Sequence, residues 1–151
     1  MMQTTIDQKT FTITFHRELP VSRAEVFDAW TKPEQTAEWW DPTGARLVTC
    51  EIDLRPGGAF RFVNGGHGPP FAGTYAVVER PSRLVFEAMG SVGTVTLEKA
   101  ASGTRMTVTI RCASRGQLEQ FVKMGVAPKT DRTLDNLVRY VAAFQKASAV
   151  S

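Results

Sequence analysis

The sequence predicts an α+β fold: a curved antiparallel sheet wrapped on a C-terminal helix, with two short helices following the first strand. Three observations predict it. From about residue 46 to residue 112, apolar residues recur at alternate positions in short runs separated by turn residues, as in strands with one buried face. From Leu118 onward the spacing changes to i, i+3, i+4, i+7, which is that of an amphipathic helix. Ahead of the sheet pattern, two helix-start signals stand close together at Ser22 and Pro33.

In chain order, Phe11-Thr12-Ile13-Thr14-Phe15 alternates and reads as the first strand. Ser22-Arg23-Ala24-Glu25 has capping-box spacing, and Val26, Phe27 and Trp30 follow on one helical face. Pro33 suits the first position of a second short helix because it has no N–H to lose there; Trp39-Trp40 lie at its far end, before Asp41-Pro42 stops it. Val48, Cys50, Ile52 and Leu54 then alternate with polar residues, and Arg55-Pro56-Gly57-Gly58 turns the chain into Phe60-Arg61-Phe62. The loop Asn64–Pro70 leads to strands at Thr74–Val78, Leu84–Ala88, Val92–Glu98 and Arg105–Cys112, the last with Met106, Val108, Ile110 and Cys112 on one face. Leu118, Phe121, Val122, Gly125 and Val126 make one helical stripe; Leu134, Leu137, Val138, Val141 and Phe144 make a second, longer one after Pro128. Short turns between consecutive strands imply antiparallel pairing.

Composition narrows the function classes. With 151 residues, 42% hydrophobic and 22% charged, the chain is expected to be one domain, residues 1–151 with a core over about 10–146, and large enough to hold a core and an internal cavity. The net charge of +3 is spread without a basic run, so nucleic acid is not an expected partner. The start has no basic, apolar and small-residue succession, and no segment is apolar enough to span a membrane, so a soluble cytoplasmic protein is expected. Cys50 and Cys112 form no CxxC pattern and are read as buried free thiols. His16 and His67 have no carboxylate or cysteine at ligand spacing, so neither a metal nor a cofactor is expected. No GxSxG or HExxH is present, and no catalytic residue is assigned. Glu87 is the one acid worth following: facing inward it would be desolvated and could serve as a general acid or base, but alternation favours Leu84, Phe86 and Ala88 as the inward set.

The segment from His16 to Glu34, with Ser22-Arg23-Ala24-Glu25-Val26-Phe27 at its centre, continues to Trp39-Trp40-Asp41-Pro42. It resembles the amino-terminal signature of the START-related (SRPBCC, Bet v 1-like) superfamily, in particular the branch named for the activator of the heat-shock-protein-90 ATPase. Asp53-Leu54-Arg55-Pro56-Gly57-Gly58, Gly73-Thr74-Tyr75 with Arg80–Phe86, and Thr133-Leu134-Asp135-Asn136-Leu137 agree in order and spacing. The resemblance covers about Thr10 to Phe144 and implies a helix-grip fold: a seven-stranded antiparallel sheet bent around the long C-terminal helix, enclosing a hydrophobic cavity. One departure concerns the entry to the last helix, where many relatives carry Gly-Trp and this chain has Lys129-Thr130.

On that frame, Trp39 and Trp40 point roughly 100° apart on a helix, so one packs inward while the other faces the cavity mouth or solvent. Further candidates for cavity walls are Phe60, Phe62, Tyr75, Phe86 and Met106 from strands, and Phe121, Leu137 and Tyr140 from helices. The expected function is binding of a small hydrophobic or amphipathic molecule, without enzymatic activity. Co-chaperone-like stimulation of a heat-shock ATPase and cavity acid/base chemistry of cyclase or hydratase type stand as alternatives, and a homodimer is the default assembly.

Overall fold

The computed structural model describes residues 3–66 and 68–150, with side chains for 4–66 and 68–143. The elements run β1 (Gln3–Asp7), β2 (Thr12–Leu19), α1 (Arg23–Thr31), α2 (Pro33–Trp39), β3 (Thr49–Ile52), β4 (Ala59–Val63), β5 (Phe71–Glu79), β6 (Arg83–Ala88), β7 (Ser91–Ala100), β8 (Gly103–Arg111), α3 (Arg115–Lys123) and α4 (Val126–Val150). One antiparallel sheet contains all eight strands in the order β1-β2-β8-β7-β6-β5-β4-β3. The helix-grip architecture is as expected, with one strand more than the seven anticipated.

The additional strand is β1, which lies ahead of the core estimated from sequence. Its residues Gln3-Thr4-Thr5-Ile6-Asp7 contain one apolar side chain, and Ile6 is exposed, so no burial alternation marks them. Backbone pairing holds the strand instead, from Gln3 opposite His16 to Asp7 opposite Thr12. Asp7 shapes the turn by accepting hydrogen bonds from the backbone N–H of Lys9 and Thr10. These bonds stabilise the charged form and hold its carboxyl pKa below the ordinary value.

The inner sheet face is written by alternation. Ile13, Phe15 and Leu19 of β2, Met106 and Val108 of β8, and Val95 and Leu97 of β7 are all buried. Two close approaches shape its far end. Phe86 pairs with Gly93 across β6 and β7, and a Cβ at Gly93 would overlap the Phe86 ring. Phe60 likewise lies over Gly73, where a Cβ would stand 2.9 Å from its Cζ. Glycine at these strand positions lets aromatic rings lie down on the sheet.

Arg17 is the exception on the inner face. It lies between Phe15 and Leu19 with its side chain only 4% exposed, and reaches α4, where Nη2 meets Asp131 at 2.8 Å and Nε meets Asp135 at 3.2 Å. Its Nη1 donates to the carbonyl of His16. This charged clamp fixes the first half of α4 across β2. Among the described residues no helix is long and apolar enough to cross a membrane.

Candidate functional site

The end of the fold that carries a site is organised by α1 and α2. The predicted capping box is present: Ser22 accepts from the Glu25 N–H while Glu25 accepts from the Ser22 N–H. At the other end of α1, carbonyls of the last turn have no partner within the helix. The side chains of Thr36 and Trp39 supply one, both donating to the Ala29 carbonyl, at 2.9 and 3.0 Å. Trp39 is thereby fully buried, edge-on to Trp30 at 4.9 Å between ring centroids. Trp40 points elsewhere, half-buried against Phe62 and Phe71.

The Thr133–Leu137 motif explains how α2 is held to α4. Thr133 Oγ1 donates to the Trp40 carbonyl at 3.1 Å, and Asn136 Nδ2 donates to the Asp41 carbonyl at 2.9 Å. Asp135 holds Arg17 while Leu134 and Leu137 enter the core. In the other predicted turn motif, Arg55 Nε donates to the Asp53 carboxylate at 2.9 Å, and the turn is tied to β5 by Gly57 N–H to the Tyr75 carbonyl.

Between the sheet and the first turns of α4 lies a cavity of about 230 Å³. The sheet contributes Phe71, Phe86, Ala88, Gly93, Val108 and Ile110; Trp30, Trp40 and Phe121 close the sides; Val126, Lys129, Thr130, Thr133 and Leu134 form the helical wall. Met89, 54% exposed, stands at the rim. The polar hydroxyls are partly engaged already, since Ser91 donates to the Ala88 carbonyl and Thr133 to Trp40. Among the described residues, Lys129 is the only charged one on the wall.

Of the sequence-predicted residues, Trp40, Phe86 and Phe121 line this cavity. Phe60, Phe62 and Tyr75 line an adjoining crevice of about 10 Å³ that shares Trp30, Trp40, Phe71 and Phe86 with it. A space that small is barely enough for one water. Trp39, Met106 and Leu137 belong to the filled core, each with no more than trace exposure, and Tyr140 lies half-buried farther along α4; none touches either space. Sequence reasoning missed Phe71, hidden behind the Pro69-Pro70 loop signal, and the first-turn residues of α4. The only available signal for the latter was the Lys129-Thr130 departure, which the structure places on the cavity wall.

Glu87 is exposed on the outer sheet face, with Leu84 and Ala88 buried on the inner one. The acid/base reading of the cavity therefore loses the carboxylate it required. No cluster of three or more His, Cys, Asp or Glu side chains suited to a metal occurs among the described residues. His16 faces the outside, its Nδ1 3.3 Å from Thr107 Oγ1; His67 lies outside the described residues.

Both cysteines are free, Cys112 buried and Cys50 half-buried. Burial pushes the Cys50 thiol up to about 11, with the negative charge of Glu34 adding to the rise. Burial also raises Cys112, and it raises the Tyr75 phenol well above its ordinary value. Cys50 is thus expected to resist iodoacetamide at pH 8, because the thiolate is the reacting species. A folded pKa above the unfolded one leaves stability unaffected below about pH 9 and erodes it as pH rises from 9 through 11. Urea titrations at pH 8 and 10.5 check this; equal stabilities at the two would contradict it.

A family model described as Activator of Hsp90 ATPase homolog 1-like protein matches residues 20–142. A Rhodobacter sphaeroides protein of solved structure superposes with a TM-score of 0.83 at 20% identity, over 95% of this chain and 99% of its own. One from Nitrosomonas europaea does so with 0.82 at 25% identity, over 93% and 99%. The AHSA1-like protein from Aeromonas hydrophila gives 0.71 at 25% identity, over 89% and 94%. No curated protein matches the chain. The family match runs from Pro20, two residues before the α1 cap, to residue 142 in α4, taking in the capping box, the Trp39-Trp40 pair and the Thr133–Leu137 motif, so the chain belongs to the family of Activator of Hsp90 ATPase homolog 1-like proteins.

Proposed function

We propose that the protein binds a small hydrophobic or amphipathic molecule in the space between the sheet and α4. The observation that carries this reading is the 230 Å³ cavity itself, walled by aromatic and aliphatic side chains beside a fully packed core. Protein interiors normally fill to a packing density of ~0.75, and empty apolar space forfeits the dispersion contacts a filled site makes. An engineered apolar cavity of about 150 Å³ in another protein already accepts benzene, so this one has room for a one- or two-ring aromatic or a short chain. Aromatic walls with few polar groups are the usual composition of such a site.

The reading is tested by titrating naphthalene-sized probes and following the Trp40 indole and the methyls of Val108 and Leu134 by NMR. Shift changes confined to the cavity are expected. Ala88→Leu, which extends a buried wall residue into the space, should weaken binding at least about tenfold at a stability cost of about 1–3 kcal/mol. Unperturbed wall residues at saturating probe, or unchanged affinity in Ala88→Leu, would refute it.

A second reading follows from family membership, namely stimulation of a heat-shock ATPase. It predicts a raised turnover of the cognate chaperone on addition of this protein. Unchanged turnover at saturation would leave the family name without functional content here.

A further inference from the structure

We infer that the cavity selects monoanionic amphiphiles, carboxylates with an aromatic or short aliphatic body, by pairing the anionic head with Lys129. This deepens the binding reading above and rests on it. Lys129 sits in the first turns of α4 and, among the described residues, is the single charged one lining the cavity. Among the described residues, every other wall side chain is apolar, an indole or a neutral hydroxyl, so the sign of any charge selectivity is set by this one ammonium group.

Among the described residues no carboxylate pairs with Lys129. Asp131, two positions along α4, is already engaged by Arg17 at 2.8 Å. Thr130, beside Lys129 on the same wall, offers a hydroxyl able to donate to the same head group. The apolar end, at Trp40, Phe86 and Phe121, then takes the body. A fully apolar ligand would leave the ammonium without a partner, and a cation would be repelled by it. An exposed lysine at the edge of an apolar space adds modest energy, but it suffices to rank ligands of equal shape.

The experiment pairs acids with neutral alcohols of the same body: 2-naphthoate against 2-naphthalenemethanol, and octanoate against octanol, on the full chain by calorimetry at low salt. In wild type the acid of at least one pair should bind roughly fivefold tighter than its alcohol, with the preference shrinking as salt is added. Lys129→Gln should abolish the preference, Lys129→Glu should reverse it, and Lys129→Arg should keep it; the site is exposed, so folding is not at stake. The pair that shows the preference identifies the body as aromatic or aliphatic. If alcohols bind as tightly as acids and Lys129→Gln changes nothing, the charge selection is wrong while cavity binding stands. If no probe of either kind binds, both fall together.

Discussion

Replacing Trp39 by alanine should lower unfolding stability by about 3–5 kcal/mol, the largest single-residue effect expected in this chain, and drop Tm by roughly 10 °C or more. Two losses combine. The indole is completely buried against Trp30 and Trp40, and its truncation leaves a void that helices pinned by Thr133 and Asn136 can close only in part. Its Nε1 also satisfies the Ala29 carbonyl at the end of α1, leaving Thr36 as the remaining side-chain donor. Trp39→Phe separates the two, keeping most of the ring volume and removing the hydrogen bond, for a loss of about 1–2 kcal/mol. Trp30→Phe provides the contrast. The Trp30 Nε1 is buried with no hydrogen-bond partner, so deleting that group removes an unsatisfied donor and should cost less than the same change at Trp39. Urea denaturation followed by far-ultraviolet circular dichroism reads all three; a Trp39→Ala loss below about 1 kcal/mol would contradict the assignment.

Arg17→Met is the second large effect, expected at about 2–3 kcal/mol. The guanidinium is nearly inaccessible and held by Asp131, Asp135 and the His16 carbonyl, in a fork geometry that no lysine reproduces. The two carboxylates are each about one-third exposed (32% and 34%), so they rehydrate when the arginine leaves, which keeps the loss below that of a sealed pair. They also repel one another once unpaired. Asp131→Asn in the Arg17→Met background should therefore restore part of the lost stability, whereas in wild type it should destabilise. Additivity of the two changes would show that no such coupling exists. Because the clamp positions the turns of α4 that carry Lys129, Thr130, Thr133 and Leu134, amide exchange over residues 129–137 should accelerate in Arg17→Met ahead of global unfolding.

Period and punctuation made most of the architecture legible. The alternation of Met106, Val108, Ile110 and Cys112 identified the inner face of β8, and the capping box, Pro33 and the Gly125–Pro128 break located helix ends close to where they lie. β1 was not legible, because a strand held by backbone ladder bonds with an exposed Ile6 leaves no burial signature. Arg17 is a charged residue on the inner face of β2, a place that no local pattern assigns to it. Only the meeting of β2 with α4 gives it Asp131 and Asp135, more than a hundred positions away.

The candidate site shows the same division. The size and hydrophobicity of Phe60, Phe62, Tyr75, Phe86, Met106, Phe121 and Leu137 are visible one residue at a time, but whether such a side chain fills a core or borders a void depends on what stands opposite. Gly93 beneath Phe86 and the first turns of α4 above it leave space. Met106 of β8 and Leu137 of α4, equally apolar, are fully buried and become core. The sequence by itself determined which faces are apolar, where the helices start and stop, and that a sheet would bend round a terminal helix, because those follow from local periodicity and backbone chemistry. Only the tertiary structure decided where packing stops short of completion, and that a single lysine stands at that place, because a cavity is a property of distances between elements that no local pattern encodes.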